Sequence, residues 1–108
     1  MKSSAWLVMT TLPSEDAARA MARELVAGRY AACVSLLAGL RSIYRWEGEV
    51  QEEAEVQLLC KTSPARLEAL KAWIGAHHPY SVPELLCLPV AEGGESYLAW
   101  IADETRAS

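Results

Sequence analysis

The 108-residue sequence has no asparagine, no Cys-x-x-Cys pair among its three cysteines, and no apolar run long enough to cross a bilayer. A membrane-spanning helix needs about 20 consecutive apolar residues, so we expect no membrane partner. Residues 1–4 are too short for a secretory signal, which favours a cytoplasmic location. An odd number of cysteines without zinc-knuckle spacing predicts reduced thiols rather than a disulfide framework or a zinc site.

Positive charge is also scarce, since 10 Lys and Arg stand against 14 Asp and Glu and give a net charge of −4. This is the wrong sign for binding a phosphate backbone, so we predict no nucleic-acid partner. The chain has no Gly-rich phosphate loop, no nucleophile elbow and no HExxH motif, and without asparagine it cannot form an acylphosphatase active site. We therefore predict no enzymatic activity and no organic cofactor.

Hydrophobic residues make up 52% of the chain, enough for the core of one domain spanning residues 1–108. Residues 5–11 predict a strand, and Ser14 and Gly28 mark the ends of a helix. The apolar stripe of that helix consists of Ala18, Met21, Ala22, Leu25 and Val26. Residues 31–37 predict a second strand, joined to the first by a right-handed parallel crossover.

A hairpin follows, bent at Gly39 and reversing at residues 47–49, with alternating apolar and polar residues up to Lys61. A second helix begins near Pro64 and keeps His77 on its inner face, residues 84–90 predict a fourth strand, and a terminal helix follows residues 93–94. The fold class is therefore α+β, a ferredoxin-like βαββαβ sandwich with an extended central hairpin and a C-terminal helix.

The predicted hairpin is too long for its own domain. Residues 31–46 extend on the order of 50 Å at 3.3 Å per residue, against a domain diameter of roughly 35 Å. The arm therefore projects beyond the helices and carries Ile43, Tyr44 and Trp46. Because monomers rarely leave strand edges and aromatic rings uncovered, we predict that another subunit covers the arm.

Five segments stand in order along the chain: Ala31-Ala32-Cys33, Tyr44-Arg45-Trp46-Glu47-Gly48, Lys61-Thr62, His77-His78-Pro79-Tyr80-Ser81-Val82-Pro83-Glu84 and Tyr97-Leu98-Ala99-Trp100. Together they resemble the CutA divalent-cation tolerance proteins, and several separated motifs are more specific than one short pattern. The resemblance implies a homotrimer whose long hairpins pair between subunits, with Tyr44 and Trp46 at the subunit contact. Such a trimer also resembles the PII signalling proteins, so a small-molecule or nucleotide-sensing regulatory module is the alternative function.

The resemblance further implies copper tolerance and copper binding by an adjacent histidine pair and a cysteine at the end of the first strand. The histidine pair matches His77 and His78. The cysteine position, counted back from Pro13, is occupied by Thr10, so the soft thiolate that favours copper is missing. Two imidazoles, completed by a carboxylate or water, predict weak binding of Cu(II) or another divalent cation.

The residues themselves leave other interpretations open. Packing or capping of the helix end explains His77 as well as metal contact does. Glu84 is a candidate ligand or inter-subunit contact, or a cap for nearby N–H groups. Cys33 is likewise a candidate ligand or interface residue, or a small buried hydrophobe. Glu53 and Glu55 share one strand face, which we assign to a solvated surface.

Overall fold

The computed structural model describes residues 4–106 as four strands, three α-helices and one 3-10 turn. In chain order these are β1 (Trp6–Leu12), α1 (Glu15–Ala27), β2 (Cys33–Trp46), β3 (Glu49–Thr62), the 3-10 turn (Pro64–Arg66), α2 (Leu67–His77), β4 (Leu86–Pro89) and α3 (Glu95–Glu104). The predicted α+β class and the order of the elements are confirmed. None of the helices described is long and apolar enough to span a membrane.

The four strands form one antiparallel sheet in the order β2-β3-β1-β4. Cys60 of β3 pairs with Val8 of β1 on one side and with Val34 of β2 on the other. β1 and β2 therefore run parallel, as predicted, but β3 separates them and they do not pair. β4 is shorter than the predicted 84–90, because only Leu86–Pro89 pair with β1, and Glu84 lies before the strand rather than at its start.

The first helix begins where the sequence predicts. The Ser14 hydroxyl accepts the N–H of Ala17 at 3.1 Å and so satisfies one free donor of the first turn. Its sheet-facing residues are Ala18, Met21, Ala22 and Leu25. Val26 was predicted in the same stripe but is exposed, because it lies about 100° around the helix from Leu25.

The second helix buries Leu67, Leu70 and Ile74. The prediction that His77 continues this inner face is wrong, because His77 is exposed. Its ring stacks on Trp73 with centroids 4.0 Å apart and an interplanar angle of 17°, which holds it along the helix surface.

The core lies between one face of the sheet and helices α1 and α2. Its buried residues are Val8, Leu12, Ala18, Met21, Ala22, Leu25, Ala31, Val56, Leu58, Cys60, Leu67, Leu70 and Ile74. The opposite face of the sheet carries α3 at one end, packed through Ile101 against Ala5 and Ala32, and residues 79–84 at the other. Leu37, Leu86 and Leu88 lie on this opposite face and are exposed.

The long hairpin gives the protein its greatest dimension of 44 Å. Its reversal needs only two residues, Glu47 and Gly48, both with positive φ as in a type I′ turn, rather than the predicted three. Gly39, at φ +80°, lies in a bulge where two residues of β2 oppose one of β3. The bend predicted at Gly39 is therefore a bulge.

Candidate functional site

A cleft of about 690 Å³ lies between the hairpin arm and residues 79–84. Its lining residues are Thr11, Ser42, Tyr44, Trp46, Glu53, Glu55, Pro79, Tyr80, Ser81, Val82, Pro83 and Glu84. All of the charged lining residues are glutamates, so the cleft combines carboxylates with aromatic rings.

The bulge at Gly39 decides which side chains of β2 reach this cleft. Before the bulge, Leu36 pairs with Leu58 and faces the helices; after it, Ser42 pairs with Glu53 on the opposite face. Because side chains alternate along a strand, one extra residue exchanges the faces of every later residue. The bulge thus turns Tyr44 and Trp46 away from the helix side and toward the cleft.

Two tyrosines fix two of the carboxylates. The Tyr80 hydroxyl donates to Glu55 Oε2 at 2.8 Å, and the Tyr44 hydroxyl donates to Glu53 Oε1. Burial, followed by the hydrogen bond to Glu55, raises the pKa of Tyr80, while the hydrogen bond to Glu53 raises the pKa of Tyr44. Both phenols therefore stay protonated as donors, and the carboxylates are held in place as acceptors.

Gln57 positions the third carboxylate. Its Nε2 atom donates to Glu84 Oε2 at 2.9 Å and to the Thr10 carbonyl at 2.9 Å, and the side chain is buried. Glu84 thus reaches the cleft although it precedes β4 instead of starting it. Its candidate role as a ligand or interface residue stays a prediction.

His78 anchors the segment that carries Tyr80. Its Nε2 atom bonds to the Thr11 carbonyl at 2.9 Å, and its Nδ1 atom accepts the Tyr80 N–H at 3.1 Å. Since a carbonyl only accepts and an N–H only donates, the proton is on Nε2. Burial lowers the pKa of His78, which favours this neutral imidazole.

His77 points to a different partner. Its Nδ1 atom donates to the Trp73 carbonyl at 2.8 Å, and the side chain is exposed. The residues that the structure describes include no group of three or more His, Cys, Asp or Glu side chains placed to hold one metal ion. Metal contact by His77 and His78 therefore stays a prediction.

Thr10 faces the core rather than the cleft. It pairs with Leu58 on the helix side of the sheet and is 0% exposed. Within residues 4–106, its Oγ1 is the buried side-chain polar atom that has no hydrogen-bond partner. At the position where the resemblance implies a cysteine ligand, this chain thus has a buried hydroxyl.

Cys33 lies away from the histidine pair. Its Sγ is 3.7 Å from Lys61 Nζ, and Lys61 pairs with Leu7 of β1, whereas His78 bonds to Thr11. Leu7 and Thr11 are about 13 Å apart at 3.3 Å per residue. The structure does not bring Cys33 to the histidines, and its role as a ligand or interface residue stays a prediction.

Sequence reasoning missed most of this cleft. It assigned Glu53 and Glu55 to a solvated surface, which agrees with the exposed Glu53 but not with the half-buried Glu55, and it gave no role to Thr11, Gln57 or Tyr80. The sequence did contain one signal. An extra residue at the predicted bend makes the side chains after it point to the opposite face of β2 from the one that simple alternation predicts. The bond between Tyr80 and Glu55 joins residues 25 apart, which no local pattern indicates.

The fold and the cleft define a small α+β protein with an acidic, aromatic cleft beside its long hairpin. Residues 6–104 match the family model described as CutA1 divalent ion tolerance protein. The divalent-cation tolerance protein CutA of Thermus thermophilus is 50% identical over 99 residues, which cover 92% of this chain and 96% of that protein. The chain therefore belongs to the CutA1 divalent ion tolerance family.

Solved structures of relatives have the same fold. The structure of the divalent cation tolerance protein from Thermus thermophilus superposes with a TM-score of 0.90 at 48% identity, covering 94% of this chain and 99% of that one. CutA from Xylella fastidiosa superposes with a TM-score of 0.93 at 38% identity, covering 96% of this chain and 100% of that one. These relatives confirm the predicted family.

Proposed function

We propose that this chain is a non-catalytic, divalent-cation-binding protein of a metal-tolerance response, with a histidine site that prefers copper. The observation that carries the proposal is the state of His77. Because its Nδ1 donates to Trp73, its Nε2 keeps the lone pair that binds metal, and this atom has no hydrogen-bond partner among the described residues. His77 is also exposed, so an ion can reach it.

The remaining donors fit a metal less well. Both ring nitrogens of His78 are occupied, so metal binding there requires the loss of a bond to Thr11 or Tyr80. Thr10 offers a buried hydroxyl instead of a thiolate. The available ligands are therefore one free imidazole, a second imidazole that must first break a hydrogen bond, and water. This set favours weak binding, and the order of first-row affinities places Cu(II) ahead of Zn(II).

Titration calorimetry with Cu(II) and Zn(II) tests the metal site. We expect micromolar or weaker binding of Cu(II), weaker binding of Zn(II), and loss of the copper signal in His77→Ala and in the double variant with His78→Ala. Circular dichroism checks that each variant folds, and Lys71→Ala, which changes the exposed surface of the same helix, is the control. Copper affinity that survives the double change would reject the histidine site.

We further propose a homotrimer with the ferredoxin-like arrangement, in which Tyr44 and Trp46 lie at the subunit contact. The strand order β2-β3-β1-β4, the projecting arm and the exposed Leu37, Leu86 and Leu88 support this assembly, because a second copy would cover apolar surface and open strand edges. Light scattering should give about 35 kDa, three times the chain mass of 11.8 kDa. A mass equal to one chain at micromolar concentration would contradict it.

The alternative of a nucleotide-sensing, PII-like module has no observation in its favour. The charged residues that line the cleft are Glu53, Glu55 and Glu84. Their carboxylates repel the phosphates that a nucleotide would bring.

A further inference from the structure

His77 stands at the end of a stack of aromatic rings on the helix side of the protein. Trp73 and His77 are four residues apart on α2, a spacing that places two side chains on the same face of a helix. Their rings are nearly parallel, with centroids 4.0 Å apart and an angle of 17° between the planes. Because the Nδ1 atom of His77 also donates to the Trp73 carbonyl at 2.8 Å, two contacts with one residue fix the imidazole.

Trp73 is itself held in place, so it can orient a neighbour. Its side chain is half-buried and packs against the core. The ring of Tyr30 contacts it at an angle of 41°, with centroids 6.0 Å apart, and the guanidinium carbon of Arg66 lies 4.6 Å from the centre of the Tyr30 ring. Arg66 in turn donates to two backbone carbonyls near the end of α1, each at 3.0 Å. The exposed His77 ring therefore rests on a support that is anchored to the core and to α1.

The hydrogen bond to the Trp73 carbonyl determines which nitrogen of His77 faces a ligand. The Nδ1 atom carries the proton, so the lone pair is on Nε2. Histidines that bind metal in proteins almost always donate their other ring N–H to a carboxylate, a backbone carbonyl or water, which fixes the tautomer and the orientation of the ring. His77 has this arrangement.

The stacked indole ring adds a preference for the metal-bound imidazole. A cation on Nε2 withdraws electrons from the imidazole, and the face of an indole ring attracts positive charge. The contact between the two rings is therefore stronger when a metal is bound than when none is bound. Since the lone pair of Nε2 lies in the plane of the imidazole, a ring stacked on its face does not obstruct it.

We propose that Trp73 is a positioning residue for the copper site, a role that rests on the proposed function of His77. Its carbonyl and its ring hold the imidazole in one orientation and one tautomer, so metal binding costs less side-chain freedom. Without the ring, the side chain of His77 would turn between rotamers, and some of these lack the bond to the carbonyl. Trp73 thus raises the affinity for copper without touching the metal.

Titration calorimetry with Cu(II) on the full-length protein compares Trp73→Leu, which removes the aromatic ring, with Trp73→Phe, which keeps one. We expect Trp73→Leu to weaken copper binding about threefold to tenfold, as the loss of one stacked aromatic pair implies, and Trp73→Phe to stay within about twofold. Trp100→Leu is the matched control, because Trp100 stacks on Tyr97 with centroids 5.6 Å apart but lies on α3, across the sheet from His77. It should leave the copper affinity unchanged.

A second measurement needs no copper. Long-range nitrogen–proton NMR spectra distinguish the two tautomers of a neutral imidazole, which is the form present at about pH 8. We expect the Nδ1–H tautomer of His77 in the unchanged protein and in Trp73→Phe, and a mixture of both tautomers in Trp73→Leu. A residue that only packs against the core would not change this tautomer.

Equal copper affinity in Trp73→Leu and in the unchanged protein would overturn the positioning role, and so would a Trp73→Phe variant that loses as much affinity as Trp73→Leu. If the unchanged protein binds no copper, the proposed function fails, but the NMR spectra still decide whether Trp73 orients His77. A mixture of tautomers in Trp73→Leu would then support this orientation, and a single tautomer in every variant would overturn it. If Trp73→Leu does not fold, Trp73→Met replaces it with the same expectations, because its flexible side chain fills irregular space.

Discussion

The Nδ1 atom of His78 accepts the backbone N–H of Tyr80 at 3.1 Å. Through this bond one imidazole fixes the start of the segment that forms a wall of the cleft, and Tyr80 then reaches across to Glu55. Since the other ring nitrogen donates to Thr11, the neutral imidazole ties this segment to the end of β1. The proposed copper ligand and the shape of the cleft are therefore connected.

We expect the free energy of unfolding to fall as the pH drops below about 6.5, the usual pKa of histidine. Burial lowers the pKa of His78, so the unfolded chain takes up a proton first, and the native state loses stability until the pH reaches this lowered value. A proton on Nδ1 also removes the acceptor for the Tyr80 N–H. Urea unfolding at a series of pH values on both sides of about 6.5 measures the effect. His78→Gln should remove this slope; an unchanged slope would assign it to other groups.

Thr10→Val should stabilise the protein by about 1 kcal/mol. The Thr10 hydroxyl is fully buried without a hydrogen-bond partner in the described residues, so the isosteric methyl removes a desolvation cost. Thr62→Val is the control, because Thr62 is equally buried but donates to the Tyr30 carbonyl at 2.6 Å. That variant should be destabilised by about 1–3 kcal/mol. Thermal and urea unfolding compare the two, and a loss of stability in Thr10→Val would mean that its hydroxyl has a partner.

The parts of the fold that local chemistry determines were predictable. Ser14 and the apolar stripe predict α1 because a cap and a 3.6-residue period are both properties of neighbouring residues. The alternation that ends at Lys61 predicts β3 in the same way. His77 was misplaced because the period alone cannot tell where a helix ends, and α2 ends at this residue.

The cleft was less predictable because it depends on pairings between distant residues. A bend at Gly39 was expected, but whether a bend exchanges the faces of a strand depends on the register with β3, which is set only in the sheet. Without that register, Tyr44 and Trp46 could not be assigned to the same surface as Glu53 and Glu55.

Gly39→Ala should destabilise the protein by about 1 kcal/mol. A Cβ at Gly39 would meet nothing within 4 Å, so the cost comes from φ +80° alone. Gly75→Ala is a matched control, because Gly75 also has open space around its Cβ position but lies inside α2, where alanine should stabilise by about 1 kcal/mol. Opposite signs in urea unfolding are expected. A neutral or stabilising Gly39→Ala would mean that the bulge relaxes to another register.

Trp46→Ala should weaken the proposed trimer by a few kcal/mol. Trp46 is 43% exposed in the single chain, and a large aromatic ring that becomes buried between subunits dominates the energy of such a contact. Light scattering over a dilution series should show dissociation at a higher concentration than for the unchanged protein. Val26→Ala is the control, since Val26 is similarly exposed but lies on α1, on the other side of the sheet from the cleft. If both variants dissociate at the same concentration as the unchanged protein, the ring of Trp46 lies outside the subunit contact and only lines the cleft.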